Sequence, residues 1–336
     1  MSSLDRLDLV IVGAGPSGLS AAIAARQRGL EYAVLEKGSL VNSIFHFPVH
    51  MVFFTTPELL EIGGLPFVTP YDKPTRLEAL RYYRRVVDTY DLDVHVGEEV
   101  LDIEREEVGD EAVFAVQTRS VRGVRRVIHA RAVLMAIGYY DHANLLGIPG
   151  EDLPHVSHYY NDPHPFYRQQ VVVVGGKNSA AEAALELYRG GAHVTLVHRQ
   201  SALADSIKYW VKPDIENRIR EGSIDGRFET RVVEIRPTAV ILEHNGIRQE
   251  RPADAVFLLT GYHADTELLR RAGVRIDEKR VPCYDPTTFE TNVPNLFVAG
   301  GVIAGDNTSP IFIENGRFHG ERIVETLMRR RGQSPD

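Results

Sequence analysis

A short glycine-rich loop near the start of the chain has the residue types that cradle a phosphate. The loop is Gly13-Ala14-Gly15-Pro16-Ser17-Gly18, and it lies between an apolar run and a stretch of small residues. In this pattern the first glycine permits a tight turn, the second lets the backbone approach a pyrophosphate, and the third lets helix and strand pack closely. The free N–H groups at the start of the following helix would face the phosphate charge. The loop therefore predicts a dinucleotide site.

An acidic residue beyond this loop indicates which dinucleotide the site takes. Glu36 stands about 20 residues further on, where a carboxylate accepts hydrogen bonds from a ribose diol. The same carboxylate would repel a 2′-phosphate. The first site is therefore predicted to take a nucleotide whose ribose is not phosphorylated.

A second glycine-rich loop repeats the pattern, but the residues at the position equivalent to Glu36 are basic. It is Gly175-Gly176-Lys177-Asn178-Ser179-Ala180, which fits the motif if Lys177 replaces the central glycine. At the position equivalent to Glu36 stand His198 and Arg199, and a basic group there pairs with a 2′-phosphate. The pair of sites predicts FAD at the first loop and NADPH at the second, with the flavin taking a hydride from the nicotinamide.

Each loop must be positioned by a strand before it and a helix after it. The strands are expected at 7–12, 32–35, 132–137, 170–174, 193–197, 258–260 and 296–299, and the helices at 17–28 and 179–188. Two such βαβ beginnings predict an α/β fold with two Rossmann-like, three-layer dinucleotide-binding domains.

Glycine and proline punctuation predicts that one domain is inserted into the other. The outer, FAD-binding domain is expected to comprise residues 1–150 and 265–336, and the inserted, NADPH-binding domain residues 154–262. A His- and Pro-rich stretch at 155–166 has no helical periodicity and is interpreted as a connection.

Composition excludes several classes of protein. With a net charge of −8, the chain lacks the excess of basic residues that proteins binding nucleic acids or anionic membranes carry, and we expect neither function. The one cysteine, Cys283, excludes an internal disulfide, a CxxC dithiol and a multi-cysteine metal site, and we expect no metal. No apolar run is as long as a membrane span, and the first residues lack a signal-peptide pattern, so we expect a cytoplasmic protein.

With these motifs in place, the chain resembles two-dinucleotide flavoproteins of the thioredoxin-reductase type. It is most similar to the bacillithiol disulfide reductases in the stretches LEKGSLVNSI at 35–44, TRLEALRYYRRV at 75–86, IKYWVKPDIENRI at 207–219 and IFIENGRFHG at 311–320. The resemblance implies NADPH-dependent reduction of a low-molecular-weight disulfide through FAD by a homo-oligomer, either a dimer or a tetramer.

The loops and the resemblance together define two sets of cofactor-binding residues. The FAD set is Gly13, Gly15, Pro16, Ser17, Gly18, Glu36, Lys37, Asn42, His50, Gly138, Gly300, Glu314 and Asn315. The NADPH set is Gly175, Gly176, Lys177, Asn178, Ser179, His198, Arg199 and Gly261. Within the first set, Glu314 and Asn315 are expected to open a helix whose N–H groups face the flavin, and His50 is a candidate proton donor.

The chain departs from its relatives at the positions that carry their chemistry. Ser17 stands where the bacillithiol family places a cysteine, and a hydroxyl group cannot perform thiol–disulfide exchange. No catalytic residue is therefore assigned. The Gly-Asp of the C-terminal flavin motif is Gly300-Gly301 here, so the acid is either missing or supplied by Asp306.

These departures leave two further functions open. A ferredoxin or flavodoxin–NADP reductase needs only the flavin and no thiol, so its partner would be a small electron-transfer protein. A non-catalytic sensor of NADPH would bind both cofactors without turnover. A flavin monooxygenase is disfavoured because its motif requires Phe and His where Ile148 and Pro154 stand.

Overall fold

The computed structural model describes residues 6–108, 111–308 and 310–332. Its strands are β1 (Arg6–Val12), β2 (Tyr32–Glu36), β3 (Val94–Val96), β4 (Glu98–Val108), β5 (Glu111–Ser120), β6 (Arg125–Met135), β7 (Val156–Ser157), β8 (Gln170–Val174), β9 (His193–Val197), β10 (Asp225–Arg227), β11 (Thr230–Arg236), β12 (Ala239–His244), β13 (Ile247–Pro252), β14 (Ala255–Leu258) and β15 (Leu296–Val298). Its α-helices are α1 (Pro16–Gln27), α2 (Asn42–Phe45), α3 (Arg76–Tyr90), α4 (Asn178–Arg189), α5 (Lys212–Arg220), α6 (Thr266–Arg271), α7 (Ile313–Gly316) and α8 (His319–Arg330). None of these helices is long and apolar enough to cross a lipid bilayer.

The first of two compact units comprises the described residues of Met1–His142 and Tyr262–Asp336. Its seven-stranded sheet has the order β3-β2-β1-β6-β5-β4, and β15 pairs with β6. Strands β3, β2, β1, β6 and β15 are parallel, whereas β4, β5 and the first half of β6 form an antiparallel meander. The chain leaves β1 towards β2 while β6 lies on its other side. The carboxyl ends of β1 and β6 therefore form the topological switch point, where ligands bind in open α/β sheets.

The second unit, Ala143–Gly261, repeats this plan. Five parallel strands have the order β10-β9-β8-β14-β7, and a separate three-stranded antiparallel sheet has the order β11-β12-β13. Strand β8 lies between β9 and β14, as β1 lies between β2 and β6. This unit therefore has its own switch point, at the carboxyl ends of β8 and β14.

Local sequence explains why the βαβ beginnings form where they do. Four consecutive residues of β1, Leu9 to Val12, are buried, as expected for a parallel strand covered on both faces. Helix α1 is rich in small residues, and α8 packs so closely on it that a Cβ atom at Gly320 would lie 2.5 Å from the backbone nitrogen of Ala21. Gly29, at φ +66°, then ends the helix with a left-handed residue.

The predicted fold class is confirmed, and the periodic elements lie where they were expected. The strands predicted at 170–174 and 193–197 are β8 and β9, and the helices predicted at 17–28 and 179–188 match α1 and α4 to within one residue at each end. The strand predicted at 132–137 overlaps the end of the longer β6. The one predicted at 258–260 overlaps β14 only at Leu258, because β14 begins at Ala255 and ends there.

Three details differ from the prediction because long-range contacts determine them. Residues 143–150, predicted to belong to the outer domain, cluster with the second unit, where Ile235 donates a backbone hydrogen bond of 2.8 Å to the Pro149 carbonyl. The connection at 155–166 contains β7, which pairs with β14. The helix expected to open at Glu314 is the four-residue α7, which already begins at Ile313, and the long helix α8 starts at His319.

Candidate functional site

The first glycine loop passes very close to the segment that follows β6. Gly13 has φ +105°, and a Cβ atom there would lie 2.5 Å from the carbonyl oxygen of Ala136. A Cβ atom at Gly18 would collide with the carbonyl oxygen of Gly13. Both glycines are therefore required by the protein's own packing.

Gly15 is different, because the protein itself does not need a glycine there. Its φ of −76° suits any residue, and a Cβ atom would meet no atom within 4 Å. Gly15 is the N-cap of α1, no side chain caps the helix, and its first turn contains no acidic residue. The open space beside uncapped N–H groups fits an anionic ligand that approaches the backbone, as the pyrophosphate of FAD would.

Glu36 fixes the shape of this loop. Its side chain is buried at the end of β2 and accepts hydrogen bonds from the backbone N–H groups of Ala14 (2.9 Å) and Gly38 (2.8 Å). Burial raises the pKa of the Glu36 carboxyl, and these two N–H groups oppose the shift. Each carboxylate oxygen keeps a lone pair for a further donor, so the predicted bond to a ribose diol is compatible with this arrangement.

The neighbouring predicted residues have separate surroundings. Lys37 is half-exposed and forms an ion pair of 2.7 Å with Asp141. The side-chain oxygen of Asn42 accepts hydrogen bonds from the backbone and hydroxyl groups of Ser39, both at 3.2 Å. His50 lies exposed in a turn. Asn42 therefore shapes the loop after β2, and the roles of Lys37 and His50 towards FAD remain predictions.

Ser17 meets two glycines that are distant from it in sequence. A Cβ atom at Gly300, which has φ +68°, would lie 2.5 Å from the Ser17 Oγ atom. A Cβ atom at Gly316 would lie 3.0 Å from the same Oγ. The first glycine loop, the end of β15 and helix α7 therefore meet at Ser17. Only glycine fits at positions 300 and 316 beside the serine.

The other residues predicted for the C-terminal flavin motif have contacts of their own. Gly138 has φ +66° in the turn after β6. Asn315 serves its own turn, since its side chain accepts a hydrogen bond from the Phe312 backbone (3.0 Å) and donates one to the Pro310 carbonyl (2.7 Å). Glu314 lies in the first turn of the four-residue helix α7, and the role of the N–H groups there towards the flavin stays a prediction. Asp306 is exposed and lies 3.5 Å from the Arg280 guanidinium.

His319 accepts a hydrogen bond from the backbone of Gly300. This role was not predicted from the sequence. The Gly300 N–H donates a 3.1 Å hydrogen bond to Nδ1 of His319, whose ring stacks on Phe289 at a centroid distance of 4.2 Å. Burial, assisted by the charge of Arg322, lowers the pKa of His319 to about 4. The imidazole is therefore neutral at physiological pH, and its Nδ1 atom can accept the hydrogen bond from Gly300. Its position within the matched stretch at 311–320 was the available signal.

The second glycine loop has the same construction. A Cβ atom at Gly175 would lie 2.7 Å from the Leu259 carbonyl oxygen, which follows β14, and one at Gly176 would collide with the His198 ring. Lys177 has φ −117°, which is ordinary extended backbone, and its side chain is exposed. A lysine is tolerated here because the central position of the motif imposes no left-handed conformation.

The remaining residues of the NADPH set surround the start of α4. The Asn178 side chain donates to the Ser206 carbonyl (3.2 Å) and accepts from the Lys208 N–H (2.9 Å), which ties residues 206–208 to the loop. Burial lowers the pKa of the His198 imidazole, and Arg199 lowers it further.

Three other predicted residues complete this set. Arg199 and Ser179 are exposed, and Arg199 directly follows His198 at the end of β9. Gly261, at φ +93°, follows β14 and lies against Asn144. Arg199 follows His198, whose ring meets Gly176 of the loop, and this placement is compatible with the predicted contact to the 2′-phosphate of NADPH.

Comparison with known proteins adds the family context. A model of the pyridine nucleotide-disulphide oxidoreductase family matches residues 10–300. The chain is 42% identical over 324 residues to the bacilliredoxin reductase of Bacillus subtilis, covering 96% of this chain and 97% of that protein. It is similar to the solved bacillithiol disulfide reductase of Bacillus cereus, with 41% identity, a TM-score of 0.93 and coverage of 97% and 99% of the two chains. A ferredoxin–NADP reductase of Ignicoccus hospitalis is 27% identical over 301 residues, 88% of this chain and 90% of that protein.

The contrast between Gly15 and Gly18 is testable. Gly15→Ala should change the free energy of unfolding by less than about 1 kcal/mol, because its Cβ meets no protein atom, yet should reduce FAD retention at least tenfold. Gly18→Ala should destabilise the chain itself by about 1–3 kcal/mol through overpacking. Flavin per chain and urea unfolding followed by circular dichroism measure the two effects. Parental FAD retention by Gly15→Ala would contradict the site.

The buried His319 predicts a pH dependence of stability. Because its folded pKa of about 4 lies below the unfolded value near 6.5, the unfolded chain binds the proton first as the pH falls. The contribution of His319 is complete above pH 6.5, and about 2.5 kcal/mol should be lost by pH 4.5. His319→Gln, which retains an acceptor, should lose correspondingly less between pH 7 and 4.5 in urea unfolding. The exposed His193→Gln is the control, and equal pH slopes for His319→Gln and the parent would refute the prediction.

Proposed function

The chain belongs to the pyridine nucleotide-disulphide oxidoreductase family, and we propose that it reduces bacillithiol disulfide with electrons from NADPH. The protein is an oxidoreductase that uses FAD and NADPH. The observation that carries a reductase function is the 42% identity, over 96% of the chain, to a relative named as a bacilliredoxin reductase. The B. cereus structure, named for the disulfide itself, supports bacillithiol disulfide as the substrate.

We assign FAD to the first unit and NADPH to the second. Buried Glu36 beside the first loop favours an unphosphorylated ribose, whereas exposed Arg199 at the equivalent place favours a 2′-phosphate. Each loop carries the glycines whose packing leaves an uncapped helix N-terminus open to a pyrophosphate. The assignment therefore rests on the opposite charges of Glu36 and Arg199, while the shape of the two glycine loops supports a pyrophosphate at both sites.

The reaction transfers two electrons from NADPH to the S–S bond. A hydride from NADPH and one proton are consumed, NADP⁺ is released, and the disulfide is cleaved to two thiols. FAD, when bound, supplies the redox centre that links the two half-reactions. The chain's own residues would bind and orient the cofactor: the α1 N-terminus would hold the pyrophosphate, while Glu36 holds the loop and His319 holds the Gly300 backbone.

The protein supplies no thiol at this site. Ser17 occupies the centre of the glycine convergence. Cys283, the one cysteine of the sequence, is exposed and contacts the Arg275 guanidinium at 3.7 Å. We therefore propose that the protein itself forms no disulfide during the reaction, because neither Ser17 nor the exposed Cys283 provides a dithiol at this site.

A ferredoxin or flavodoxin–NADP reductase is the second candidate function. The serine at position 17 favours it, because single-electron transfer from a flavin requires no thiol. A non-catalytic NADPH sensor is the outcome left if neither acceptor is turned over. A homo-oligomeric state, dimer or tetramer, and a cytoplasmic location remain predictions from the sequence.

Turnover with defined acceptors separates these functions. The FAD-loaded protein mixed with NADPH and bacillithiol disulfide should oxidise NADPH and release two thiols per NADPH, measured by absorbance and a thiol reagent. Ser17→Cys, run beside the parent, shows whether a thiol at this position accelerates the reaction. Absence of thiol release from fully flavinated protein, with rapid ferredoxin reduction instead, would select the second function.

Charge reversal at Arg199 tests the nucleotide assignment. Arg199→Glu should raise the Michaelis constant for NADPH about 10- to 100-fold, because it removes a hydrogen bond to a charged group and adds repulsion. The constant for NADH should change far less. Arg231→Glu, an exposed arginine on β11 of the same unit, is the matched control. Equal effects of Arg199→Glu on both nucleotides would show that Arg199 does not contact the 2′-phosphate.

A further inference from the structure

Gly301 is a glycine that the backbone does not require. Its φ is not positive, unlike that of the adjacent Gly300, so its conformation is open to other residues. What excludes a side chain is Tyr139: a Cβ atom at Gly301 would lie 2.7 Å from Cδ1 and 3.0 Å from Cε1 of the tyrosine ring. The Tyr139 ring thus fills the space where a side chain of residue 301 would begin.

Tyr139 is held in this place from several directions. It directly follows Gly138, whose φ of +66° turns the chain at the end of β6. The ring packs against the hydrophobic core of the first unit and remains half-buried. Thr308 hydrogen-bonds the phenol oxygen. These contacts fix both ends of the side chain, so its orientation is built into the fold.

The location is the switch-point crevice of the first unit. Tyr139 lies just beyond the carboxyl end of β6, on the segment whose Ala136 carbonyl meets Gly13 of the first loop. Its partner Gly301 directly follows Gly300, which meets Ser17 of the same loop. A ligand in this crevice would therefore have the phenol within the same small group of backbone segments that holds it.

The phenol also has the right chemistry for an uncharged donor. Burial raises the pKa of Tyr139, so the hydroxyl keeps its proton at physiological pH. The phenol oxygen has two lone pairs and one proton, so its hydrogen bond with Thr308 leaves it capacity for a further hydrogen bond.

We propose that Tyr139 is an FAD-binding residue that donates a hydrogen bond to the flavin nucleotide, and that Gly301 is glycine in order to admit its ring. This inference rests on the proposed FAD site of the first unit. A tyrosine in this role gives the flavin an uncharged donor without placing a negative charge beside it. Such a donor stabilises the negative charge that develops on reduction.

The donor role is tested on the FAD-loaded protein with Tyr139→Phe. This variant keeps the ring and loses the hydroxyl, so FAD release on dilution, followed by flavin fluorescence, should indicate about 2- to 10-fold weaker binding. The midpoint potential of the flavin should become more negative, which a purely structural role would not cause. A Tyr139→Phe protein with parental FAD release and parental potential would overturn the donor role.

The packing role is tested by a double-mutant cycle with Gly301→Ala and Tyr139→Ala. Gly301→Ala alone should weaken FAD binding at least as much as Tyr139→Phe, because its Cβ displaces the ring. In the Tyr139→Ala background the same change should have little further effect. Equal effects of Gly301→Ala in both backgrounds would overturn this part. A parent protein that retains no FAD would instead refute the proposed function, so the two failures are distinguishable.

Discussion

Both nucleotide sites depend on one steric constraint, the passage of a loop backbone against the carbonyl group that follows the neighbouring strand. Gly13 meets Ala136 and Gly175 meets Leu259, each with a left-handed φ. A side chain at either position would force the loop backbone away from that carbonyl group. At each switch point two neighbouring parallel strands end at paired residues. The glycine after the first strand allows its loop to contact the carbonyl group that follows the second.

Around the first crevice, close packing again requires residues without side chains. Ser17, Gly300 and Gly316 come from three separate segments, and each glycine leaves room for the serine. His319 then satisfies the Gly300 N–H from within the core. A neutral imidazole suits this task, because a buried charge would carry a large desolvation cost whereas an acceptor is needed to avoid an unpaired donor. The protein contributes shape and hydrogen bonds here, and the redox chemistry belongs to the cofactor.

The two units use one plan with different supports. In the first unit a buried carboxylate, Glu36, ties the glycine loop to β2 through backbone N–H groups. In the second unit Asn178 ties the loop to residues 206–208, and the position equivalent to Glu36 holds His198 beside exposed Arg199. In the proposed assignment, this difference in charge between the two units is what distinguishes the two riboses.

The sequence by itself determined the features that depend on neighbouring residues. Apolar runs bounded by glycine located β1, β8 and β9. The nucleotide assigned to each loop from the spacing to Glu36 or Arg199 stays a prediction. Tertiary structure alone decided which distant residues meet. The contact between Gly316 and Ser17 and the support of Gly300 by His319 were not predicted, and residues 143–150 joined the second unit. Local periodicity carries no information about these contacts, because they arise from the packing of segments that are far apart in the chain.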